Sequence, residues 1–99
     1  MQMPGWSVSV VFFGGAAAGR LIVDHRPDAI NLVDIAVLPQ FRRSGIATTL
    51  IRQLQAEERR PIELRVDKGN QNAIRLYETL GFSVAADAGF DLSMRWERE

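Results

Sequence analysis

The run Phe41-Arg42-Arg43-Ser44-Gly45-Ile46-Ala47, entered from Ile35-Ala36-Val37-Leu38-Pro39, is the part of the chain whose residue types and spacing could do chemistry. An apolar strand stops at a proline, a short basic loop follows, and a helical pattern opens. The first turn of such a helix offers N–H groups with no intrahelical partner and the positive end of the helix dipole. Gly45 lets a ligand approach the backbone closely, and Ala47 keeps the first turn uncrowded. Arg42 and Arg43 add formal positive charge. Together these residues can hold a phosphate or a pyrophosphate. They read equally well as an ordinary helix start with two solvated arginines, and the loop alone does not separate the two.

Other chemistries are set aside by composition. The chain has no cysteine, so disulfides, thiolate metal sites and a cysteine nucleophile are out. His25 is the only histidine, which leaves no multi-histidine metal site. One histidine, with no serine in a nucleophile turn, gives hydrolytic triads no support. Schiff-base chemistry would rest on Lys68, the sole lysine. A formal net charge of zero gives no global field towards nucleic acid or a membrane. The apolar segment 7–19 is too short to span a bilayer. Its first basic residue, Arg20, follows rather than precedes it, which is the wrong order for a signal peptide. We therefore expect a cytoplasmic protein with no metal, no nucleic-acid partner and no membrane partner. Ninety-nine residues support one domain, 1–99, with one modest core.

Several elements position the loop. Trp6 to Phe13 alternates and then runs apolar, as a strand does. Gly14-Gly15 and Gly19 bracket a flexible connection, and Leu21-Ile22-Val23 begins a second strand closed by Arg26-Pro27-Asp28. Asn31 to Leu38 is the third strand, and the three form an antiparallel meander. Ser44 can cap a helix whose apolar stripe is Ile46, Ala47, Leu50, Ile51 and Leu54, ended by Pro61. The Arg59-Arg60 pair would sit near the negative end of its dipole. Ile62 to Val66 is a strand, so strand–helix–strand implies a right-handed parallel crossover. Asn70 caps a second helix with Ala73, Ile74, Tyr77 and Leu80 inward and Gly81 as its stop. Phe82–Ala86 and Phe90–Trp96 close the chain as a hairpin around Asp87-Ala88-Gly89. The expected fold class is α+β, a mixed sheet of about six strands with two helices.

Arg42-x-x-Gly45-x-Ala47 resembles the R/Q-x-x-G-x-G/A signature of the GNAT superfamily of N-acetyltransferases. Asn70-x-x-Ala73-Ile74-x-Leu76-Tyr77-x-x-Leu80-Gly81-Phe82 is similar to that family's second signature, and the order and spacing of the two agree. The resemblance covers residues 30 to 82 well. It implies a GNAT-like fold, acetyl-CoA as donor and an amine acceptor, small molecule or peptide, that attacks the thioester directly. It also implies that Ile35, Ala36 and Val37 offer a freed strand edge to the pantetheine arm. Backbone N–H groups from Arg43 to Thr48, through Ser44, Gly45, Ile46 and Ala47, would hold the pyrophosphate beside Arg42. Asn70 would contact the pantetheine arm or serve only as a helix cap. Tyr77 would protonate the departing thiolate as general acid, where an isolated tyrosine on an apolar stripe is otherwise a core residue. Relatives often carry a glutamate base on the strand before the second helix. That position is Arg65 here, and an arginine cannot accept a proton. The remaining base candidates are Asp34, which we prefer, then Glu63, Asp67 and His25, with relay through water as a further route.

The family normally begins with one more strand and two helices, to which nothing here corresponds. A short form with a cofactor half and an open acceptor side is expected, with exposed apolar side chains near Trp6–Phe13 and a homodimer to cover them. The alternative is a CoA-binding module or partner subunit without catalysis.

Overall fold

A computed structural model describes residues 5–42 and 44–98. The elements run β1 (Trp6–Phe13), β2 (Ala16–His25), β3 (Ile30–Val37), a short 3-10 turn (Pro39–Phe41), α1 (Ile46–Glu57), β4 (Ile62–Asp67), α2 (Gln71–Thr79), β5 (Ser83–Asp87) and β6 (Asp91–Trp96). The strands form one sheet in the order β1-β2-β3-β4-β6-β5. All neighbours are antiparallel except β3 and β4, which the α1 crossover joins in parallel. Six strands and two helices in a mixed sheet are what the sequence leads one to expect.

The meander is tighter than expected. Gly14 and Gly15 both have positive φ, 61° and 85°, and form a two-residue turn of the kind that requires such angles at both positions. The second strand consequently begins at Ala16 rather than Leu21, and Ala16, Ala17 and Gly19 pair with Phe13, Phe12 and Val11. Gly19 allows a close approach: a β-carbon there would lie 3.0 Å from the Ala36 carbonyl oxygen and 3.1 Å from Ile46 Cγ2. It lets the start of α1 settle onto β2 and β3.

Side chains alternate across the sheet. One face carries Leu21, Val23, Ile30, Leu32, Ile62, Leu64, Val66 and Met94, all buried, and packs against Ile46, Leu50, Ile51 and Leu54 of α1 and Ile74 and Tyr77 of α2. The opposite face is open. Its β1 end is apolar, with Val8, Val10 and Phe12 exposed at 51%, 48% and 68%. Its β4–β6 end is polar, with Glu63, Arg65, Ser93 and Arg95. The apolar exposure expected near Trp6–Phe13 is therefore present, and β1 is also a sheet edge.

The end of α1 differs from expectation. The helix stops at Glu57, and Arg60 reaches the Arg26 carbonyl (2.7 Å) and Glu58 (3.2 Å) instead of the helix terminus. Arg98 supplies that role, donating to the carbonyls of Gln55, Ala56 and Glu58 at 2.9, 3.0 and 3.2 Å. Among the described residues, no helix is long and apolar enough to cross a membrane.

Candidate active site

The parallel pairing of β3 with β4 covers three registers only, Ile30↔Ile62, Asn31↔Glu63 and Leu32↔Leu64. Beyond Leu32 and Leu64 each strand continues, β3 to Val37 and β4 to Asp67, without pairing to the other. The sheet splits there. An irregularity in the β2–β3 register, which leaves Val33 without a partner, falls at the same level. The β4-facing groups of Ile35, Ala36 and Val37 are thus free of strand partners. The peptide-like arm expected to bind them would dock by adding a strand.

At the wide end of this split, on the helical face beside Val37, lies a cavity of about 570 Å³. Val37, Arg42, Gly45, Ile46, Ala47 and Thr48 line one side, all of them residues singled out from the sequence. Phe41 and, from α2, Asn72, Ala73 and Leu76 complete it. Sequence reasoning placed Ala73 and Leu76 in a motif but did not assign them to the site, and it missed Asn72. Arg43 lies outside the described residues. Ser44 does not cap α1. Its hydroxyl donates to the Phe41 carbonyl, and Gly45 is the N-cap, in left-handed backbone at φ 80°. The reason is geometric: the chain turns so sharply from the 3-10 turn into α1 that the cap position demands a positive φ, which glycine alone adopts freely. The first amide bonded back within this turn is that of Thr49, to the Gly45 carbonyl at 2.9 Å. The N–H groups of Ile46, Ala47 and Thr48 precede it and have no intrahelical acceptor. A β-carbon at Gly45 would meet nothing within 4 Å, so the ground above the loop is open. The Arg42 side chain is exposed and makes no hydrogen bond or ion pair with another described residue. These features fit a pyrophosphate.

Tyr77 is held by the end of α2. Gly81 takes φ 95°, the Gly81 N–H donates to the Glu78 carbonyl and the Phe82 N–H to the Tyr77 carbonyl, both at 3.0 Å. This is the Schellman pattern, with its accompanying apolar contact: the Tyr77 and Phe82 rings lie 5.8 Å apart at 59°. Phe82 is buried at 3% exposure and belongs to this lock, so β5 begins one residue later than expected. The Tyr77 ring is core, as the apolar stripe implies. Its hydroxyl, however, makes no hydrogen bond among the described residues. Burial, and then the nearby Asp34 charge, push its pKa above the ordinary value. The phenol therefore stays protonated through the neutral range and has a donor to offer.

Asp34 Oδ2 accepts from Arg20 Nε at 3.0 Å, and its carboxylate is 39% exposed. Asn70 acts as the cap of α2, accepting from the Ala73 N–H at 3.2 Å; it does not line the cavity. Glu63 pairs with Arg95 at 2.8 Å, and Asp67 accepts from the Gly69 N–H at 2.7 Å. On the open face a second cavity, about 420 Å³, is lined by Val10, Arg20, Ala36 and Val37 among others. Val37 borders both cavities, so the end of β3 is the wall between them.

His25 falls elsewhere. It meets Ser7 Oγ at 2.9 Å and lies 3.9 Å from Glu58, a grouping hidden in the sequence by separation. The carbonyl end of α1 adjoins it, which favours cations and offers no stabilisation to an oxyanion. Among the described residues no group of His, Cys, Asp or Glu is placed to hold a metal ion.

The chain belongs to the acetyltransferase (GNAT) family, whose model matches residues 4–82. No curated protein matches it significantly in sequence. Among solved structures it is similar in fold to the PaiA N-acetyltransferase of Thermoplasma acidophilum in complex with coenzyme A, with 17% identity and a TM-score of 0.88. That match covers 95% of this chain and 62% of the other, so the chain spans less than two thirds of that relative. The ribosomal-protein-S18-alanine N-acetyltransferase of Escherichia coli is 24% identical with a TM-score of 0.87, over 99% of this chain and 74% of that one. A GNAT family acetyltransferase of Elizabethkingia anophelis with acetyl-CoA bound is 13% identical with a TM-score of 0.84, over 95% and 77%.

Proposed function

We propose that the protein is an N-acetyltransferase that uses acetyl-CoA as donor and an amine as acceptor. The observation that carries this reading is the split between β3 and β4, with a cradle for anions at one end. Bound acetyl-CoA supplies the thioester: the acceptor nitrogen forms a bond to the acetyl carbon, the carbon–sulfur bond breaks, and CoA leaves as a thiolate that takes its proton from solvent. The freed edge of Ile35, Ala36 and Val37 aligns the pantetheine arm. The amides of Ile46, Ala47 and Thr48 and the Arg42 guanidinium hold the pyrophosphate. Strand N–H groups at the split stabilise the developing oxyanion.

Tyr77 donates a hydrogen bond to the sulfur as negative charge builds there. Its raised pKa keeps that proton available, while full transfer to a thiolate with an ordinary thiol pKa of about 8.5 runs uphill. The hydrogen bond is accordingly where its contribution lies. Asp34, on the open lip of the split, takes the proton from the acceptor ammonium directly or through water. The experiment is thiol release from acetyl-CoA against a panel of amines. Release that depends on an added amine supports the reading, and no amine-dependent release from a protein that binds acetyl-CoA refutes it.

The domain would act in the cytoplasm, where a chain without cysteine needs no oxidising compartment. A homodimer fits the open face. The apolar side chains of β1 and its unpaired edge are joined on one surface, and a two-fold axis would cover both at once. Sedimentation at micromolar concentration tests this, and a monomer overturns it.

A further inference from the structure

The open face carries charge that the acetyl-transfer reading leaves unused, and the remainder is informative about the acceptor. β2, β4 and β6 place three arginines on this face, Arg20, Arg65 and Arg95. Arg20 is taken by Asp34 at 3.0 Å. Arg95 is taken twice, by Glu63 at 2.8 Å and by Glu97 at 2.7 Å. Arg65 is exposed, and its guanidinium makes no hydrogen bond or ion pair among the described residues. Its position is specific. Leu64 is the last β4 residue paired to β3, so Arg65 is the first residue past the fork. It alternates with the buried Leu64 and Val66 and therefore stands on the open face. Asp34 stands on the same face on the opposite lip, two residues beyond Leu32, and keeps Oδ1 free of its bridge to Arg20.

The mouth of the split thus has a carboxylate on one lip and an unengaged guanidinium on the other. We propose that the acceptor is an aminocarboxylate, such as a free α-amino acid: its ammonium is received at Asp34 and its carboxylate at Arg65. This rests on the acetyl-transfer reading and narrows it. A guanidinium is the side chain best matched to a carboxylate, because its planar fork donates two parallel hydrogen bonds. Asp67 and its cross-strand partner Asp91 on β6 lie further along, behind the far end of the β4 lip. A diamine would find its second cation site there, and this is the competing recognition.

The experiment compares free amino acids with their amides and methyl esters and with a linear diamine, using the wild type, Arg65→Gln and Arg65→Lys. Acetyl-CoA binding is followed separately by thermal shift. We expect the free acids to exceed their amides in kcat/KM by about tenfold or more, the range of a charge-assisted hydrogen bond. Arg65→Gln should erase that preference, mainly through KM for the acids, and Arg65→Lys should keep part of it. The acetyl-CoA shift should stay unchanged in both variants. A preference for amides, esters or the diamine overturns the proposal. So does an equal effect of Arg65→Gln on acids and amides. Absence of transfer to every compound with the acetyl-CoA shift preserved overturns it while leaving the donor site intact. Loss of the shift in the wild type would mean that the underlying reading itself has failed.

Discussion

Gly45 is the position where the structure allows binding and stability to be separated. Its φ of 80° lies in the left-handed region, and a β-carbon there would touch nothing within 4 Å. Gly45→Ala therefore adds backbone strain without a clash, at about 1–2 kcal/mol. For a domain of this length each kcal/mol moves the melting temperature by about 4–8 °C. Gly45→Glu suffers the same strain, partly offset by about 0.3–1 kcal/mol because a carboxylate favours the positive end of α1. Without ligand, the glutamate variant should melt at or slightly above the alanine variant. With acetyl-CoA at a hundredfold excess over its dissociation constant, the wild type gains about 2.7 kcal/mol. That is a rise of about 10–20 °C. Gly45→Ala should retain most of the rise. Gly45→Glu should lose it, because its carboxylate takes the place of the pyrophosphate over the free amides. The assay is thermal unfolding with and without acetyl-CoA. A full rise in Gly45→Glu would refute the placement of the anion at this loop.

Tyr77→Phe keeps the ring against Phe82 and removes only the hydroxyl, so turnover should fall about ten- to a hundredfold, the range of one hydrogen bond to a charged group, with acetyl-CoA affinity unchanged; turnover unaffected across the pH range would make the residue structural. Tyr77 is the sole tyrosine, so its ionisation can be read directly by absorbance, and the midpoint should lie above the ordinary 10.0. The native state holds this proton to higher pH than the unfolded chain, so the associated stability is intact below about pH 10 and is lost as pH rises towards the native value. Tyr77→Phe should remove that alkaline loss. Arg98→Ala removes the three bonds to the carbonyl end of α1 and should cost about 1 kcal/mol, seen as a lowered melting temperature with unchanged acetyl-CoA binding. Val10→Asp on the exposed face of β1 should turn the proposed dimer into a monomer in sedimentation.

What could be read from the sequence follows from how local its physical cause is. Pro39 punctuates the end of β3 through its own ring, whereas α1 stops at Glu57, ahead of Pro61. Asn70 and Gly81 cap α2 through bonds reaching a few residues, and both were legible. The anion loop was legible because Arg42 to Thr48 are contiguous. Ser44 misled because a hydroxyl before a helix usually caps it, whereas here the sharp turn after Phe41 gave the position to a left-handed glycine. The start of β2 was hidden because alanines carry little strand preference, and only pairing to β1 makes them a strand. Arg98 on α1 and His25 between Ser7 and Glu58 depend on contacts across up to 43 and 33 positions, which no window of sequence displays. The exact level of the split, just past Leu32 and Leu64, belongs to the same class. It decides that Arg65 and Asp34 face each other as lips of one opening.

A crystal structure of the protein with acetyl-CoA tests the central claim most directly. The account predicts the pantetheine arm paired to Ile35–Val37, the pyrophosphate on the amides of Ile46, Ala47 and Thr48, and the sulfur within hydrogen-bond reach of the Tyr77 hydroxyl. A ligand seated away from the β3–β4 split, or a sulfur beyond the reach of Tyr77, would contradict it.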